Sequence, residues 1–136
     1  MRWRAVREST LELGLEDARI GPVHPTVAGG RGAARRVMEH QLTAVICYND
    51  LLAVGVLRGI GDLGASVPED VSVIGFDNTQ AAELVGLTTI ASPSVLLGET
   101  AVLWMVGLVK GTTQSRDALS TLPVRLVTRT STGPRR

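Results

Sequence analysis

The stretch Val67-Pro68-Glu69-Asp70-Val71-Ser72-Val73-Ile74-Gly75-Phe76-Asp77-Asn78-Thr79 decides the fold class. Val67 to Asp70 reads as a turn, and Val71 to Phe76 as a strand that stops at Asp77. Residues 43–48, Thr-Ala-Val-Ile-Cys-Tyr, form a second run of the same kind. Both runs are apolar and rich in β formers, the pattern of strands buried on two faces in a parallel sheet. Each ends in a polar pair, Asn49-Asp50 or Asp77-Asn78, and each pair opens a helical pattern. The first helix covers Leu51 to Leu63, is striped by Leu52, Val56 and Ile60, and is ended by Gly64. The second is a short patch from Thr79 to Leu84.

The flanking sequence continues the alternation. Leu87 to Ala91 is a third strand. Ser92 then reads as an N-cap and Pro93 as the first residue of a helix that runs to about Lys110, where Gly111 stops it. Upstream, residues 2–13 form a helix with Trp3, Val6, Thr10 and Leu13 on one face. Residues 19–23 are a weak extended segment, and His24 to Gly30 reads as loop. Residues 31–40 form a helix whose apolar face is Ala33, Ala34, Val37 and Met38. Ser115 to Ser120 reads as loop, Leu122 to Thr128 as a last extended segment, and Ser131 to Arg136 as a loose tail. The predicted fold class is α/β, a parallel sheet with helices on both faces.

Composition bounds the function. The chain has 136 residues, one domain's worth of length, and 44% of them are hydrophobic. Fourteen Lys and Arg against thirteen Asp and Glu leave a charge of +1, which lacks the electrostatic footprint of a nucleic-acid binder. Cys47 is the only cysteine and sits in an apolar run, so it reads as a small buried hydrophobe; an intramolecular disulfide and a cysteine metal cluster are excluded. Met1 is followed by Arg2, Trp3, Arg4 and Glu8 rather than by an apolar stretch, so the start does not read as a signal peptide. The apolar run Ala101 to Val109 is too short to span a bilayer. These features predict a soluble, cytoplasmic chain with no membrane partner.

In an open parallel sheet, ligands bind beyond the carboxyl ends of the strands. Asn49-Asp50 and Asp77-Asn78 both stand there. Carboxylates and amides suit hydroxyl-rich ligands, because they accept from or donate to hydroxyl groups. A second role fits the same residues: Asn49 or Asp50 as the cap of the Leu51 helix, and Asp77 as the cap of the short helix after it. No catalytic constellation stands out. His24 and His40 lack metal-ligand spacing, and the patterns of nucleophile elbows, P-loops and zinc helices are absent from the sequence. Gly29-Gly30-Arg31-Gly32 reads as a flexible loop before a helix, and Arg31, Arg35 and Arg36 as a solvated face. No cofactor, metal or catalytic residue is expected.

The order of motifs resembles the LacI/GalR family of bacterial transcription repressors. Residues 43–64, 67–79, 87–98 and 122–132 (ending in Leu-Pro-Val-Arg-Leu-Val-Thr-Arg-Thr-Ser-Thr) follow the family's sequence of signatures, with 67–79 the most specific. Arg2, followed by Gly14, is similar to the helix start that opens the family's second effector subdomain. The resemblance covers nearly the whole chain, and it corresponds to the C-terminal part of a core that is like a periplasmic binding protein of type I. It implies an incomplete unit. Residues 1–91 and 121–136 would belong to the C-terminal effector-binding subdomain. Residues 92–120 would carry a crossover helix that packs on the N-terminal subdomain. Operator DNA would be reached only through a headpiece that this chain does not contain.

The resemblance also implies site residues. Arg2 matches an arginine that binds polar groups of the effector, Asn49 the amide after the first strand, and Asp77 a carboxylate that takes paired sugar hydroxyls. Ser92 and Ser94 fall along the cleft near the crossover, and Asp50 has a more structural role. Pro25 replaces an aromatic that stacks on the ligand, and Ala5 a glycine. The implied function is binding of a small-molecule effector, a sugar or its relative, with homodimer formation through the Leu51–Leu63 helix and the patch at Ala81 to Leu84. The alternatives are a sugar-binding component of a transporter with the same fold, and a small α/β enzyme.

Overall fold

The computed structural model describes residues 2–112 and 122–134, with Arg2 given by its backbone alone. The elements are α1 (Arg2–Glu12), α2 (Val27–Glu39), β1 (Ala44–Ile46), α3 (Asp50–Asp62), β2 (Ser72–Phe76), α4 (Gln80–Leu84), β3 (Thr88–Ala91), α5 (Ser94–Val109) and β4 (Arg125–Val127). The four strands form one open sheet in the order β1-β2-β3-β4.

β1, β2 and β3 are parallel, as expected, with Val45 beside Val73 and Gly75 beside Thr89. β4 is antiparallel to β3, with Ala91 opposite Arg125, and this corrects the all-parallel expectation. The reason is geometric. The chain leaves the sheet at the carboxyl end of β3 and re-enters at that same end, so it must run back. The Ser115–Ser120 segment lies outside the described residues.

α3 packs on β2, and α2 and α4 pack on α3. The core between them holds Ala34, Val37, Val56, Ile60, Val73 and Leu87, all nearly solvent-free. The apolar faces expected for α2 and α3 are the faces buried here. The two helices cross through glycines. A Cβ at Gly30 would stand 2.1 Å from the Leu52 carbonyl oxygen, and one at Gly55 the same distance from that of Val27.

That crossing corrects the reading of residues 24–30 as loop. α2 begins at Val27, capped by Thr26, whose Oγ1 accepts the Gly29 N–H at 3.1 Å. Gly29 and Gly30 are therefore helical, and Gly29-Gly30-Arg31-Gly32 is not a phosphate loop. Arg31, Arg35 and Arg36 are exposed on this helix, and Arg31 pairs with Asp62 of α3. The weak extended segment at 19–23 forms no strand; Pro22 in its middle has no N–H for a ladder.

The C-terminal segment is not a loose tail. Ser131 is buried, its hydroxyl donates to the Val73 carbonyl at 2.6 Å, and its oxygen accepts the Thr88 N–H at 2.8 Å. A short polar segment thus bridges the amino ends of β2 and β3. Residues 135–136 lie outside the described residues.

Helix α5 differs from the rest. It is apolar on every side and none of its residues is buried. Val95, Leu103 and Val109 are 73–84% exposed. Its start also shifts by one residue from the expected position: Pro93 is the N-cap, and Ser94 the first helical residue.

Replacing Gly55 by Val should destabilise the fold by about 3 kcal/mol or more, because the new side chain meets backbone rather than a flexible neighbour. Urea unfolding of the variant measures this. A loss below about 0.5 kcal/mol would show that α2 and α3 can separate without cost.

Candidate functional site

The candidate site is built at the carboxyl ends of β1, β2 and β3. Continuing the β1–β2 register from Ile46 beside Ile74 brings Asn49 level with Asp77. The Cys47 N–H donates to the Ile74 carbonyl at 2.8 Å, so the pairing extends past the strand itself. The Asp77 N–H donates to the Ile90 carbonyl at 2.9 Å, which sets Asp77 beside the end of β3, two residues before Ser92. Asn49, Asp77 and Ser92 thus share one end of the sheet. Tyr48 joins them there, 61% exposed.

Asn49 has two tasks. Its Oδ1 caps α3 by accepting the Leu52 N–H at 2.9 Å, and its Nδ2 donates to the Pro25 carbonyl at 3.3 Å. The capping role therefore falls on Asn49 and not on Asp50. Thr79, not Asp77, caps α4, through its side-chain oxygen and the Ala82 N–H.

Asp50 is fully buried at the first residue of α3. Its Oδ2 accepts the Thr79 N–H at 2.7 Å, and its Oδ1 accepts the Thr89 hydroxyl at 2.6 Å. The carboxylate also lies at a helix N-terminus, where the dipole favours negative charge. Gly75 leaves the space for it: a Cβ there would stand 2.3 Å from Asp50 Oδ1. One side chain thereby ties α3, the loop after β2, and β3.

That loop is unusual. Asp77 and Asn78 both have positive φ, 109° and 52°. The left-handed region costs an L-residue free energy, least for Asp and Asn. Two such residues in succession turn the chain sharply and leave Asp77 exposed at this end of the sheet. Beneath it, Arg129 donates from Nη2 to Asn78 Oδ1 at 2.9 Å and from Nη1 to the Leu87 carbonyl at 2.7 Å.

The arrangement suits binding rather than covalent chemistry. Cys47, the one thiol, is buried beneath the site. Burial first, and the Asp50 charge second, push its pKa up to about 12, so it stays a neutral thiol. His24 and His40 are exposed and far apart in the chain. Among the described residues no group of three His, Cys, Asp or Glu is placed to hold a metal ion, and no helix is long and apolar enough to cross a membrane.

Comparison with known proteins agrees with this architecture. The periplasmic binding protein-like domain family matches residues 1–132. The HTH-type transcriptional regulator reg1 of Streptomyces lividans is 35% identical over 130 residues, which is 94% of this chain and 36% of reg1. A LacI family transcriptional regulator from Arthrobacter sp. FB24, solved in complex with lactose, is 36% identical with a TM-score of 0.83, over 96% of this chain and 50% of that one. The chain belongs to the LacI/GalR family. It corresponds to the C-terminal part of the family's effector-binding region. A LacI family regulator from Enterococcus faecalis V583, solved with bound ribose, is 35% identical with a TM-score of 0.74, over 84% of this chain and 43% of that one. The chain therefore spans about a third of the length of reg1 and half or less of these two solved regulators.

In this member of the LacI/GalR family, Asn49, Asp77 and Ser92 lie at one end of the sheet. Ser94 follows at the exposed start of α5. Arg2 opens α1, and its side chain lies outside what the structure describes. Thr79, Thr89 and Arg129 were not among the expected site residues, yet they hold the loop that carries Asp77. The signal for one of them is in the sequence. Thr88-Thr89 is a polar pair inside an otherwise apolar strand, and such a pair needs buried partners.

Asp50→Ala removes the acceptor from two buried donors at once. It should cost about 2–5 kcal/mol, while Asp50→Asn, which keeps one acceptor, should cost less. Urea denaturation of both variants measures the difference. Equal losses would mean that the two hydrogen bonds do not carry the effect.

Proposed function

We propose that this chain is the effector-binding and dimerising part of a LacI-type transcriptional regulator, and that its effector is a sugar or a related polyhydroxylated molecule. The observation that carries this reading is Asp77, exposed on a turn of two left-handed residues and level with Asn49. A carboxylate accepts from two neighbouring hydroxyls, and an amide both donates and accepts, so the pair reads a diol. Arg2 would add a cation for the effector's polar groups, and Ser92 and Ser94 would line the wall toward the crossover. The lactose and ribose complexes of the related regulators support a sugar. Their being regulators favours this reading over a transport component, and no catalytic step is assigned.

The reading divides the chain. Residues 1–91 and 121–136 form the C-terminal lobe, and residues 92–120 carry the helix that packs on another lobe. The all-round apolar surface of α5 supports this, since a helix of that kind is normally buried. Homodimer formation would use the surface at Leu51, Leu84 and Val85, where Leu84 is 80% exposed. A sugar bound between two lobes would favour their closed arrangement and so bias a hinge between DNA-binding and released states. Operator DNA would be held by a headpiece outside this chain, in the cytoplasm.

Two measurements test the reading. Calorimetric titration with lactose and ribose should detect binding of at least one. Asp77→Ala should weaken it tenfold or more, as loss of a charged hydrogen-bond partner does. Asp77→Gly should weaken it equally while holding or raising stability, because it relaxes the backbone at φ 109°. Unchanged affinity in both variants removes Asp77 from the site. Separately, the 136-residue chain should self-associate in ultracentrifugation through α5. A monodisperse monomer at micromolar concentration would show that this helix finds cover within its own chain.

A further inference from the structure

We propose that Arg129 is a positioning residue for the effector loop, so that the C-terminal segment returning from α5 sets how Asp77 is presented. The inference rests on the effector-binding reading of Asp77, and it adds a residue remote from the ligand to that site.

The argument starts from strain. Asp77 and Asn78 both occupy positive φ, a strained backbone that persists only where its surroundings fix it. Three backbone contacts help: the Asp77 N–H to Ile90, the Asn78 N–H to Thr89 Oγ1 at 3.3 Å, and the Thr79 N–H to Asp50. These fix the peptide planes. The Asn78 side chain is held by Arg129, whose other nitrogen donates to the Leu87 carbonyl. A planar guanidinium spans two acceptors in a fixed fork, which an ammonium does not.

Arg129 is itself held in place. Its N–H donates to Thr88 Oγ1 at 2.9 Å, and Ser131 two residues later is locked between Val73 and Thr88. It also follows β4 by two residues. β4 is the strand through which the chain comes back from α5. A shift of β4 against the sheet therefore reaches Asn78 through Arg129 and one hydrogen bond. The site would then sense the position of β4, and β4 would sense whether Asp77 is engaged, by the same free energy in both directions.

Amide hydrogen exchange on the 15N-labelled 136-residue chain tests this. In Arg129→Met the amides of Asp77, Asn78 and Thr79 should exchange about tenfold faster, with those of Val56 and Ile60 unchanged. Asn78→Ala, which leaves Arg129 on the Leu87 carbonyl, should loosen the same three amides. In the Asn78→Ala background, Arg129→Met should add nothing further at these positions, because the two act through one contact. Uniformly faster exchange across the sheet, no change at the three amides, or additive effects in the double variant would each overturn the proposal. Titration of the variants with lactose and ribose gives a second readout. Whichever sugar the parent chain binds should bind about tenfold more weakly to Arg129→Met. Undiminished affinity with a loosened loop would overturn the link to Asp77. If the parent binds neither sugar, the sugar reading fails, while the exchange result still decides whether Arg129 positions the loop.

Discussion

The buried carboxylate of Asp50 is the interaction on which the ligand end of this fold depends. It lies at the start of α3, accepts from the loop after β2, and accepts from β3. Removing water from a carboxylate is costly, and the cost is offset only when its acceptors are filled with good geometry. Here the neighbours are arranged for that purpose. Gly75 gives up a side chain to admit it, and Thr89 turns a hydroxyl inward from a buried strand. The three elements that bring Asn49, Asp77 and Ser92 to one place are the three that this group joins. Stability and the site geometry therefore share one cause.

The second constraint is helix α5. The sheet, α2, α3 and α4 close a core among themselves, and the segment through Ser131 bridges the amino ends of β2 and β3. α5 takes little part in that core and offers apolar side chains on all sides. Burying each such side chain is worth about 1.5–3 kcal/mol, so this helix gains more from a partner surface than from water. The lobe reaches a satisfied interior without α5, and α5 does not reach one without something else. This asymmetry is what an element shared between two lobes requires.

Much of the fold was legible because the strongest signals were redundant. The apolar runs at 43–48 and 71–76, the polar pairs that end them, and the helix stripes at Val37, Val56 and Ile60 all point to the same α/β arrangement. The misreadings arose where one residue type serves two purposes. Gly29 and Gly30 read as loop punctuation, but glycine also lets helices touch, and the Gly30–Gly55 crossing uses it that way. Thr26 was the available clue, since a threonine three residues before Gly29 can cap a helix. The direction of β4 was not legible, because a strand's sequence does not state which end of the sheet the chain re-enters. Ser131 looked like tail for a related reason: its partners Val73 and Thr88 are 43 or more residues away. The capping alternative for the polar pairs was half right, and the half that differed is informative. Asn49 caps, so Asp50 is released for the interior, and Thr79 caps, so Asp77 stands exposed at the end of the sheet.

That release explains why the polar pairs have two members. A helix that follows a parallel strand needs an N-cap at the strand's carboxyl end, which is also where ligands bind. A side chain that caps the helix has only its remaining N–H or lone pair for a ligand. In the first pair the amide caps and also reaches Pro25, while the acid goes inward to brace the next loop. In the second pair neither member caps. Both are bent into left-handed backbone, so that the acid faces out and the amide faces Arg129. The strain of that bend is carried by Asp50, Thr89 and Arg129, which come from three different parts of the chain. A loop fixed from several sides keeps its carboxylate in place before any ligand arrives, and preorganisation of that kind reduces the entropy lost on binding.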